Sequence, residues 1–89
     1  MIDPNILLMD GFDEAFVGII SRFGQEDIAC YDYEKVIEIL MDQGMDYEDA
    51  VKFHEFNQIG AWVGERTPCF LNKKSPKDLE SLRDEVEIV

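Results

Sequence analysis

The side chains in this chain that could do chemistry fall into a few groups. Asp10, Asp13 and Glu14 lie within five residues, and such a carboxylate cluster offers the hard oxygen ligands that Ca²⁺ or Mg²⁺ requires. The spacing matches no D-x-[DN]-x-[DN]-G loop, however, and a solvated turn is the simpler expectation. His54 is the sole histidine, so no multi-histidine metal centre can form within one chain. Cys30, Cys69, His54 and Asn57 invite a cysteine-protease comparison, but the local signatures around a nucleophilic cysteine are missing. His54 is therefore expected on a helix surface or partly buried. The cysteines lack C-x-x-C spacing and sit in apolar surroundings, so they are expected to be small buried hydrophobes kept reduced. The six glycines never approach a phosphate-loop spacing, which leaves nucleotide binding without support.

One stretch remains. Residues 55–70 read EFNQIGAWVGERTPCF, combining two glycines, the only Trp and a Glu-Arg pair. A bland account makes it a corner in which the glycines permit a turn, Trp62 fills the edge of the core and Asn57 bonds to backbone. A functional account makes Asn57, Trp62, Glu65 and Arg66 a protein-recognition patch, because Trp and Arg are the side chains that most often anchor interfaces.

The elements that must position these residues can be read from patterning. Ile6–Met9 is a short apolar run stopped by Asp10-Gly11, and Ala15–Phe23 is rich in β-formers, so both are expected to be strands. Gly24–Asp27 then punctuates before Ile28–Tyr31, which predicts an antiparallel meander. At Asp32 the pattern changes to helical spacing, with Val36, Ile37, Leu40 and Met41 on one stripe and Gly44 as the stop. A second helix starts after Asp46, which with Asp49 has capping-box spacing. The tripeptide Asp-Tyr-Glu at 32–34 recurs at 46–48, and in both copies acids occupy the first turn, where the helix dipole is positive. This is helix-start chemistry rather than a duplicated site. The second helix is expected to end between Ile59 and Val63, with a strand over Thr67–Leu71. Ser75-Pro76 is a helix-opening pair for a short charged segment using Leu79 and Leu82.

Charge narrows the partner classes. The chain holds 20 acids against 8 bases, a formal net charge of −12, and residues 1–66 carry 15 of the acids but only 4 of the bases. A surface of that sign repels phosphate backbones, so direct DNA or RNA binding is not expected. The acidic second helix also argues against reading the two helices as a helix-turn-helix. The same field favours basic partners. The longest apolar runs fall far short of a bilayer span and the N-terminus lacks a basic region before its apolar stretch, so a cytosolic, non-membrane location is expected.

The patterns D-G-F-D-E-A at 10–15, Y-D-Y-E-K at 31–35 and, above all, F-N-x-x-G-A-x-x-G-E-x-T-P-x-F at 56–70 resemble small uncharacterised acidic proteins of tailed bacteriophages. The likeness covers about residues 9–71. It implies a phage origin and an early or accessory role in the host cytoplasm, and it supplies no catalytic residues.

The combined expectation is an α+β domain over residues 1–72, a small antiparallel β-sheet packed on two α-helices in the order β-β-β-α-α-β, with residues 73–89 as a charged C-terminal extension. The expected function is non-enzymatic binding of another protein, without cofactor or metal, and in its sharper form acidic inhibition of a host nucleic-acid-binding or defence protein. A structural or assembly component, forming a homo-oligomer through Trp62 or an exposed strand edge, is the alternative. A small metal-dependent enzyme ranks third, resting on Asp10–Glu14 alone.

Overall fold

The computed structural model describes residues 5–59, 64 and 66–86. The fold is α+β: strands β1 (Phe16–Ile20) and β2 (Ile28–Asp32), helices α1 (Tyr33–Asp42) and α2 (Tyr47–His54), strand β3 (Cys69–Leu71) and helix α3 (Pro76–Arg83). The sheet order is β1-β2-β3, with β2 central. β1 and β2 run antiparallel, with a bulge between Phe16 and Gly18. The turn between them is closed by Gln25 N–H donating to Arg22 O at 3.0 Å. Gly24 takes φ +76° at its third position, as a type II turn requires.

Three expectations need correction. Ile6–Met9 is not a strand. Met9 N–H donates to the Tyr31 hydroxyl at 2.8 Å instead of to a ladder partner, while Ile6 and Met9 pack on the core and Leu7 and Leu8 face water. The sheet is also mixed, because β3 pairs parallel to β2. A parallel neighbour needs a crossover of a dozen or more residues, and the helical stretch after Asp32 supplies it. The apolar strand expected over Ala15–Phe23 ends at Ile20, where the turn around Gly24 takes over.

The core forms where α1 and α2 meet the sheet: Phe12, Ala15, Ala29, Tyr31, Val36, Ile37, Leu40 and Ala50 are all buried. The helix ends follow local chemistry. The Asp32 carboxylate accepts from Glu34 N at 3.0 Å and Lys35 N at 3.4 Å, satisfying donors that the first turn leaves open. At the other end of α1, Met45 N–H reaches Leu40 O at 3.4 Å and Gly44 N–H reaches Met41 O at 3.0 Å. This is the paired bonding of a Schellman stop, with Gly44 at φ +106°. A Cβ at Gly44 would meet nothing within 4 Å, so a substitution there costs backbone strain alone. Gly44→Ala is expected to destabilise by about 1 kcal/mol and Gly44→Asn by less, measured by urea unfolding.

α2 is capped by Asp46, which accepts from Asp49 N at 2.8 Å. α3 is present, opened by a reciprocal box: Asp78 N donates to Ser75 Oγ at 3.4 Å and Ser75 N to Asp78 Oδ2 at 2.8 Å. It buries none of its residues. Among the described residues, no helix is long and apolar enough to cross a membrane.

Candidate functional site

The structure brings the loop between β1 and β2 against the entry to β3. The Arg66 guanidinium pairs with the Glu26 carboxylate at 2.6 Å, both side chains half-buried or nearly so. Thr67 N–H and Oγ–H both donate to Gly64 O, at 3.2 and 2.7 Å, while the corner expected around Trp62 lies outside the described residues. Between these segments lies a groove of about 780 Å³, lined by Ile20, Ile28, Pro68 and Phe70 together with Glu26 and Tyr33.

Of the predicted patch, Arg66 therefore spends its charge on Glu26 and holds the hairpin loop against β3. Asn57 is exposed in the π-helical turn Glu55–Ile59 that follows α2, and its amide donates back to Phe53 O of α2 at 3.2 Å. Trp62 and Glu65 lie outside the described residues.

His54 is not at the surface. It is wholly buried, its ring edge-on to Phe70 at 4.4 Å and to Tyr33 at 5.2 Å. Tyr31 continues the series, tilted toward Phe70 at 6.4 Å and edge-on to Phe16 at 5.7 Å. Aromatic contacts thus run without a break from the start of α1, through the end of α2, across all three strands. Edge-to-face pairs at these separations stabilise beyond their buried area. The sequence signal for His54 was its place four residues after Ala50, the other buried position of α2, which makes a narrow inward stripe.

At neutral pH the two titratable groups that line the groove beside β3 and α1 are protonated. Burial, together with a hydrogen bond to Cys30, pushes the Cys69 thiol up to about 11, and burial first, then the neighbouring Tyr47 and Glu55, raises the Tyr33 phenol. Both stay neutral at pH 7. Asp10, Asp13 and Glu14 are all exposed, and among the described residues no three His, Cys, Asp or Glu side chains converge as a metal-ligand group.

A different feature stands out on the same loop. Phe23, at the second position of the type II turn, is fully exposed. The turn that carries it is closed by its own backbone bond and anchored three residues later through Glu26 to Arg66. A large aromatic held in water on a pinned turn is the form of an interface anchor. Sequence reasoning assigned Phe23 to a strand and so missed it.

Compared with protein-family models, with curated proteins and with solved structures, the chain has no match.

Proposed function

We propose that the chain is a non-enzymatic accessory protein of tailed-phage origin that acts in the host cytoplasm by binding another protein, and that the hairpin tip at Phe23 is its anchor. The observation that carries this reading is the full exposure of Phe23 on a turn tied down by Glu26 and Arg66. Ordering the loop before binding lowers the entropy lost on association. The net charge of −12 supports a basic contact surface on the partner, and in the sharper form a protein whose own ligand is nucleic acid, met here by carboxylates in place of phosphates. The resemblance of residues 56–70 to phage proteins supports the setting.

The test is capture from bacterial lysate with the wild-type chain and with Phe23→Ser as baits. The expected result is a basic or nucleic-acid-binding protein on the wild-type bait, depleted at least tenfold on Phe23→Ser and released as salt rises from about 0.1 to 1 M, where the screening length shrinks from roughly 10 to 3 Å. Recovery of no basic protein, or equal recovery on both baits, would overturn the reading.

A second reading rests on a separate observation. Among the described residues, β1 lies at the edge of the sheet, its sequence FVGII holds no charge, and Phe16, Val17 and Ile20 are exposed. Uncharged apolar edges are templates for strand pairing, so a homo-oligomer through β1 is the alternative. Sedimentation of the pure chain decides it: a dimer that Val17→Lys dissociates favours assembly, and a monomer at all concentrations removes it.

A further inference from the structure

Cys30 and Cys69 are far apart in the chain but are register partners on the adjacent parallel strands β2 and β3. Register partners send their side chains to the same face of a sheet, and neighbouring strands lie about 4.8 Å apart. That spacing falls inside the roughly 4.4–6.8 Å Cα window of disulfides. Both thiols are free. Their exposure differs in a useful way. Cys30 is 3% exposed, whereas Cys69 is only partly buried and borders the groove. One thiol meets whatever enters the groove, and the other sits behind it.

We propose that Cys69 and Cys30 form a dithiol modification site, in which a peroxide entering the groove oxidises Cys69 and Cys30 resolves the product into an intramolecular disulfide. In the first step the Cys69 sulfur takes one peroxide oxygen as the O–O bond breaks, giving a sulfenic acid, and the departing hydroxide collects the thiol proton as water. In the second step the Cys30 sulfur attacks the sulfenic sulfur, the S–O bond breaks, and the leaving hydroxide takes the Cys30 proton as a second water. Two thiols lose two electrons and one peroxide becomes two waters. A dithiol reductant reverses the closure by exchange.

The product has a defined structural effect. The covalent ring runs from Cys30 to Cys69 and encloses α1 and α2, so it fixes β3, which carries the groove wall at Phe70, to the central strand. Because the Cys69 thiolate is scarce at neutral pH, closure follows sustained exposure rather than a brief pulse. The site is independent of whether Phe23 anchors a partner.

The experiment treats the purified full chain with millimolar hydrogen peroxide, denatures it, alkylates it with iodoacetamide and reads the intact mass. The expected product is a monomer that has lost two hydrogens and takes up no alkyl group, with a Cys30–Cys69 peptide on proteolysis and full recovery of both thiols in dithiothreitol. Its Tm should exceed that of the reduced chain by about 10 °C. Cys30→Ser should stall at a sulfenic acid that dimedone traps on Cys69, and Cys69→Ser should leave Cys30 unreacted. Two alkylated cysteines in wild type after exposure, or cross-linking only between molecules, would overturn the proposal. Those readouts need no variant to fold.

Discussion

Tyr31→Ala is expected to cost about 4 kcal/mol, the largest effect of any single substitution considered for this chain. The ring is 1% exposed near the end of the middle strand. It touches Phe16 of β1 and Phe70 of β3, and its hydroxyl holds the backbone of Met9. Truncation therefore removes a large buried side chain and undoes three attachments, to both edge strands and to the N-terminal segment. A chain of this length has a total stability of roughly 4–13 kcal/mol, so Tyr31→Ala sits at the margin of folding. Tyr31→Phe separates the contributions. It keeps the ring and removes only the acceptor for Met9 N–H, at a cost of about 1 kcal/mol. Urea unfolding should show the phenylalanine variant with a lower midpoint and an unchanged slope. A loss below about 1 kcal/mol for Tyr31→Ala would mean that the sheet does not depend on this ring.

The second large effect belongs to Asp32, where β2 ends and α1 begins. Its carboxylate is nearly buried, with 10% side-chain exposure, caps α1 with two backbone bonds and meets Lys73 Nζ at 2.8 Å. Asp32→Ala removes cap and ion pair together, for an expected loss of about 2 kcal/mol. Asp32→Asn keeps the capping oxygen and should lose less than about 1 kcal/mol, since Lys73 is largely solvated and such pairs are weak. The ion pair with Lys73, opposed by burial and helped by the cap bonds, lowers the Asp32 pKa below its ordinary value. A carboxyl lowered on folding stabilises the native state above its unfolded pKa of about 3.9, and that stability is lost as pH falls through the folded value. The difference between wild type and Asp32→Asn should thus be flat near neutrality and shrink below about pH 4. A gap that widened in acid would contradict the assignment of the shift to the charged form.

What the sequence disclosed tracks the range over which each feature is decided. Helix starts are settled within four residues, so Asp32, Asp46 and Ser75 were readable as caps. The stop at Gly44 was readable for the same reason. The β1–β2 hairpin is nearly as local, and only its far end was placed too late, because Phe23 has strand-forming chemistry but sits on the turn that Gly24 dictates. The direction of β3 was not readable. It depends on where two helices return the chain, and Thr67–Leu71 has the same composition whichever way it runs. The partner of Arg66 was hidden likewise, since Glu26 comes close only once β3 has docked. His54 misled because a lone histidine on an acidic helix looks solvated, while its burial comes from Phe70 and Tyr33 on other elements. The pairing of the cysteines has the same cause: register across β2 and β3 is a property of the finished sheet.

The mixed sheet also orders events in time. The β1–β2 pairing closes a short loop, and α1 follows directly from Asp32, so these parts can assemble from near neighbours while little chain entropy has been lost. β3 pairs with β2 across a long intervening stretch of chain that includes both helices. Its contacts are therefore expected on the late side of the folding barrier, so that Phe70→Leu should hasten unfolding more than it slows folding in a urea chevron. The groove, the clamp between Glu26 and Arg66 and the juxtaposed thiols all rest on that last strand. They are the newest parts of each folded molecule and the first to be given up when it opens.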